Sequence, residues 1–154
     1  MCSSDLAMPL IASVYVGVAE AALEIARAQG KHRQQDHLFH IQLGDAINEV
    51  NTARVALESM VRLVNNFDYP GTKEFLSEIL SRKTIASRAV IDGARKSLEA
   101  VGGSAYYRSL GLERLVRDAL AAQFHPFADL KQQEFSGRVA IGLEPPSEPF
   151  NPEE

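Results

Sequence analysis

The alternation of apolar and polar positions divides the 154-residue chain into helical segments separated by short breaks. From Pro9 to about Ala28 small and apolar residues dominate, and Pro9 suits a first turn, where its missing N–H costs nothing. Gly30 stops this helix, GKHRQQD forms a polar connector, and Asp36 is placed to cap the next. The second helix is predicted from about His37 to Asn66, with Val50, Ala53, Leu57, Met60, Val61 and Val64 as its apolar face. FDYPGT ends that pattern. Thr72 then caps a third helix from Lys73 to about Val101, closed by Gly102 and Gly103.

After the connector SAYYRSLG, the segment LERLVRDALAAQFH is predicted as a fourth helix, with Glu113/Arg117 and Arg114/Asp118 four apart and able to pair. Pro126 pushes His125 out of helical geometry, so a bend is expected there. FADLKQQEFSGRVAIG is predicted to form a last short helix, and residues 143–154, rich in Pro and Glu, a flexible tail. No stretch alternates with period two. The expected fold is therefore all-α, an antiparallel four-helix bundle with an additional short C-terminal helix.

Composition narrows the function classes. A net charge of −4 gives no electrostatic reason to expect nucleic acid as a partner. The single cysteine, Cys2, cannot build a disulfide framework, which fits a cytoplasmic location. Pro9 to Leu23 is apolar, but Glu20, Glu24 and Arg27 interrupt it before about 20 apolar residues accumulate, so a buried helix and no membrane span is expected.

Candidate chemistry is sparse. His32, His37 and His40 cluster in HRQQDHLFH, yet their spacing does not match the helical HExxH pair, and no Glu-x-x-His occurs. No metal site is expected. Gly102-Gly103 lies between two helices, where it is either a helix stop or a surface that lets another group approach the backbone closely. Lys83, among Ile79, Leu80, Ile85 and Ala86, reads as a lysine snorkelling from an apolar face.

Taken together, VGGSAYYRSLGLERLVRDALAAQFH resembles the C-terminal helical domain of the acyl-CoA dehydrogenase family. The resemblance rests on Gly102-Gly103, on Tyr106-Tyr107, on Glu113-Arg114-Leu115-Val116-Arg117-Asp118, on the position of Lys83, and on IASVYVGVAEAALEIA centred on Gly17. It spans residues 7–142. It implies an FAD-dependent oxidoreductase acting on acyl-CoA thioesters, of which this is the terminal bundle, and a homo-oligomer, dimer or tetramer, assembled through that bundle.

Carried over residue by residue, the resemblance puts Gly102 and Gly103 beside the FAD of a neighbouring subunit, with Glu99 where the family often has Gln. A carboxylate can only accept where an amide could also donate. The family's Arg-x-x-Phe-Gly flavin-contacting loop has no counterpart in GKHRQQD, where Arg33 is the closest substitute for its arginine. The family's glutamate base has no counterpart after the Arg-Asp helix, where Phe124-His125-Pro126-Phe127 stands instead, nor near Ala7 or Met8. His125 is thus the candidate base, since an imidazole titrates near neutrality; equally it can be a helix-end histidine bonded to carbonyls. A histidine there also resembles the flavin-dependent monooxygenases of the same fold. A non-catalytic oligomerisation module is a further alternative. Residues 1–6, MCSSDL, have no counterpart in the family and resemble translated adapter sequence, so they are expected to be a non-native leader before a truncated gene, with no functional weight on Cys2.

Overall fold

The computed structural model describes residues 4–125 and 127–146. Three long helices dominate, α1 (Ser4–Gln29), α2 (His37–Val64) and α3 (Lys73–Val101), followed by the short α4 (Leu112–Leu120) and α5 (Asp129–Ala140). Single 3-10 turns close α1, α2, α3 and α4. Among the described residues there is no strand, and the all-helical bundle read from the sequence is the observed architecture.

Caps set the boundaries of the middle helices. The Asp36 carboxylate accepts from the Phe39 amide at 3.0 Å and the Thr72 hydroxyl oxygen from the Phe75 amide at 3.2 Å, each satisfying one of the donors a helix start leaves free. Two boundaries differ from expectation. α1 begins at Ser4, a turn before Pro9, which therefore lies inside the helix. The fourth helix stops at Leu120, tightening into a 3-10 turn over Ala121–Phe124 instead of running on to His125.

Cross-helix contacts give the topology. Ala12 packs with Ala56, Met60 and Ala86, while Lys96 reaches Asp45 and Glu49, and Arg82 donates to Ser59. α1 and α3 run parallel, with α2 antiparallel to both. α4 lies against α1 and α3, and α5 continues along the N-terminal half of α3, where Ser77 bonds Ser136 and Lys73 meets Glu144. The predicted fourth helix is thus the shorter α4 with a 3-10 turn after it, and the predicted last short helix is α5.

α3 touches every other helix, and its small residues explain how. Ala86, Ala89, Gly93, Ala94, Ser97 and Ala100 are all buried. A Cβ on Gly93 would lie 2.9 Å from Val50 Cγ2 and 3.4 Å from the Val50 amide nitrogen, so α2 and α3 approach through a gap only glycine leaves open. On α2, Val50, Ala53 and Met60 are buried as expected, but Val61 is 56% exposed. Among the described residues only Ala7–His32, most of it in α1, is long and apolar enough to cross a membrane, yet its Ala19, Ala22 and Ala26 are fully buried against the other helices. The single cysteine, the Pro126 bend and the tail from 147 onward lie outside the described residues.

Candidate functional site

The sequence-predicted residues fall into two places. Arg33, Glu99, Gly102 and Gly103 gather at the C-terminal end of α3. Gly102 takes φ +76° and ψ −153°, a conformation essentially reserved for glycine, while its N–H donates to the Leu98 carbonyl. Gly103 is exposed, and a Cβ built there meets nothing within 4 Å. Nothing in its own chain requires glycine there. Glu99 is exposed and accepts from Arg95 Nη1 at 2.5 Å. Arg33 crosses from the α1–α2 connector: Nη1 donates to the Ala100 carbonyl at 2.9 Å and Nη2 to the Val101 carbonyl at 2.8 Å.

His125 belongs to the second place, the corner after α4. It is extended at φ −65°, ψ 148°, and its ring lies tilted against Tyr15, centroids 5.2 Å apart. Burial pushes the Tyr15 phenol above its usual range, so it stays protonated near neutrality. Ser87 of α3 donates to the Ala122 carbonyl beneath the same corner. Ser87 and Gly102 are fifteen positions apart, about 22 Å along α3 at 1.5 Å per residue, so the glycine pair and His125 occupy different levels of the bundle.

Lys83 departs from the snorkelling expectation. It is 3% exposed, and its Nζ donates to the Phe127 carbonyl at 2.9 Å, with Asp129 Oδ1 4.0 Å away. Burial holds its ammonium below the usual lysine range, partly offset by Asp129. Asp129 also receives Arg88 Nε at 2.8 Å, so two cations of α3 tie down the start of α5. Arg117 pairs with its neighbour Asp118 at 3.3 Å, not with Glu113, and the Arg114–Asp118 bridge does not form. Glu113 Oε2 is buried without a hydrogen-bond partner. Among the described residues no group of three or more His, Cys, Asp or Glu side chains converges as a metal cage would, and the His37 and His40 rings meet edge to face.

The family profile described as the acyl-CoA dehydrogenase C-terminal domain matches residues 9–130, from α1 into the start of α5. The chain belongs to that family. Among curated relatives, the probable acyl-CoA dehydrogenase YngJ of Bacillus subtilis is 28% identical over 116 residues, covering 71% of this chain and 29% of the relative. Cyclohex-1-ene-1-carbonyl-CoA dehydrogenase of Geobacter metallireducens is 26% identical over 133 residues, covering 82% and 34%. The chain thus spans about a third of the length of these relatives. Solved structures with this fold include the HsaA monooxygenase from M. tuberculosis, at TM-score 0.79 and 20% identity over 93% of this chain and 41% of that one. A nitroalkane oxidase matches at TM-score 0.80 and 19% identity, over 95% and 35%.

Within an acyl-CoA dehydrogenase bundle the glycine pair is compatible with a flavin. The open space over Gly103 leaves backbone accessible to a flat ring system, and no side chain of its own fills it. Glu99 fits less simply, because its carboxylate is engaged by Arg95 and can only accept. Sequence reasoning missed Tyr15 and Phe39. Phe39 sits under Arg33 with 5.3 Å from guanidinium carbon to ring centroid, and its only sequence signal was its place three residues after the Asp36 cap.

Proposed function

We propose that this bundle serves an FAD-dependent oxidoreductase of acyl-CoA dehydrogenase type, which desaturates the α,β-bond of acyl-CoA thioesters in fatty acid metabolism. The observation that carries the reading is the family match over residues 9–130, joined to a glycine pair whose surface is open. Bound FAD would accept the β-hydride. The chain's own part is to offer Gly102 and Gly103 as close-approach backbone and to build the oligomer, a dimer or tetramer in the cytoplasm. The outward face of α1 supports assembly: Leu10, Val14, Gly17 and Ala21 are exposed on one side of the helix and carry no charge. By itself the chain is expected to hold little flavin.

Anaerobic mixing of acyl-CoA thioesters with the flavin-loaded oxidoreductase that carries this bundle tests the reading. Loss of flavin absorbance is expected; no bleaching by any acyl-CoA refutes it. A second reading, a flavin-dependent monooxygenase of the same fold, is favoured by one observation: His125, not a carboxylate, occupies the corner after α4. Oxygen consumption without anaerobic bleaching selects that reading. His125→Ala then separates the roles of the imidazole. A fall in turnover supports proton transfer, whereas unchanged turnover returns His125 to a helix-end residue packed on Tyr15. If the longer protein that carries this bundle folds and assembles but takes up no flavin, the oligomerisation module is the reading that remains.

A further inference from the structure

The end of α3 is held in an unusual way. A helix C-terminus leaves its last carbonyls without intrahelical donors, and a following glycine in the left-handed α conformation commonly supplies backbone N–H groups to them. Here Gly102 has ψ −153° in place of that conformation, and its N–H reaches Leu98. The Ala100 and Val101 carbonyls are met instead by the two terminal nitrogens of Arg33, 67 and 68 residues away in sequence, with Ser104 Oγ adding a longer bond of 3.4 Å to Val101.

The fork of the guanidinium matches two successive carbonyls, and its charge lies where the helix dipole is negative. Arg33 is itself braced. Its guanidinium lies over the ring of Phe39, which is 2% exposed, and the Phe39 amide is fixed by the Asp36 cap. A Cβ on Gly30 would lie 3.3 Å from Phe39 Cε1, so the connector closes tightly over the same ring. The start of α2 and the end of α3 are thereby joined through one side chain.

We propose that Arg33 is a positioning residue, not a cofactor ligand: by clamping the Ala100 and Val101 carbonyls it fixes the Gly102–Gly103 surface that a flat, flavin-class ring system would meet. The inference rests on the flavin-facing reading above for its purpose, though not for its geometry. With the clamp removed, the last turn of α3 depends on water for those carbonyls, and the glycine pair loses its fixed outlook.

Amide hydrogen exchange of the full chain tests this directly. In Arg33→Met, which keeps much of the stem but no donor, exchange across residues 102–106 should speed up about tenfold or more, the loss expected for charge-assisted hydrogen bonds. Exchange in residues 84–97 should stay within about twofold, since local opening need not reach the core. Arg33→Lys keeps the charge without the fork and should give an intermediate rate. In Arg33→Ala, added methylguanidinium should slow the turn again, which a general loss of packing would not allow. Unchanged exchange at the turn, equal acceleration throughout the core, or no response to methylguanidinium overturns the proposal. Flavin bleaching by acyl-CoA reports on the flavin reading alone, so the two can fail separately.

Discussion

The contact between Gly93 and Val50 gives a prediction whose sign changes with the partner. Replacing Gly by Ala within a helix normally stabilises by about 1 kcal/mol, through reduced backbone freedom in the unfolded chain. At position 93 the new Cβ would sit 2.9 Å from Val50 Cγ2, 3.4 Å from the Val50 amide nitrogen and 3.5 Å from Glu49 Cβ. Val50 is stiff at χ1 and 1% exposed, so it cannot swing aside, and the backbone nitrogen moves only with α2. Overpacking of this kind costs about 2 kcal/mol. Gly93→Ala should therefore destabilise by about 1 kcal/mol, the difference of the two effects. Val50→Ala alone should cost about 2 kcal/mol through lost burial and a cavity. In that background Gly93→Ala should stabilise by about 1 kcal/mol, because the methyl it met is gone, giving a coupling near 2 kcal/mol. Urea unfolding of the four proteins, followed by far-ultraviolet circular dichroism, measures the cycle. A stabilising Gly93→Ala in the parent, or the same effect in both backgrounds, refutes the argument for close approach.

The remaining predictions concern the end of α3 and its lysines. Gly102→Ala should cost about 1–3 kcal/mol for strain at φ +76°, whereas Gly103→Ala should change stability by less than about 0.5 kcal/mol yet weaken flavin retention in the loaded protein; equal thermal shifts in the two variants contradict this. Burial depresses the Lys83 pKa below 10.5, so its penalty is present in full below the folded value and is relieved as pH climbs from there to 10.5. The stability of the parent relative to Lys83→Met should accordingly rise over that window, and a falling difference in urea midpoints counts against a buried ammonium. Lys96 is the opposite case: bonds to Glu49 at 2.7 Å and Asp45 at 2.9 Å raise its pKa, so its contribution is intact below 10.5 and lost as pH rises through the folded value. Lys96→Met should cost about 1 kcal/mol at low salt and less at high salt; a cost independent of salt would assign the effect to packing of the stem.

The bundle was legible where local chemistry decides. Asp36 and Thr72 are caps whose side chains need only the next turn to act, and both bond the amide three residues on. The starts of α2 and α3 followed from that. Pro9 misled because its ring excludes only one donor, and the helix can extend past it toward the N-terminus when tertiary packing holds the segment, as the buried Met8 and Ala12 do here. The fourth helix broke at Leu120 although its composition favours continuation, since the corner is held from outside, by Ser87 on the Ala122 carbonyl and Lys83 on that of Phe127. A periodic pattern cannot report such bonds.

The candidate site was legible in its residues and not in its geometry, and the reason is the same. Gly102, Gly103, Glu99 and Arg33 were singled out by resemblance, and they do lie at one end of the bundle. What the pattern could not say is that Arg33 spends its guanidinium on backbone carbonyls 67 and 68 residues away, or that Glu99 is held by Arg95 one turn earlier. Of the four, only Gly103 then remains without a demand from its own chain: its space is open and its glycine is not required by a positive φ. Gly17, Gly44 and Gly137 are open in the same way, so the openness of Gly103 is permissive, and its place beside the end of α3 clamped by Arg33 is what ties it to the proposed flavin surface. That makes Gly103, more than Arg33 or Glu99, the position at which the flavin reading is most exposed to test.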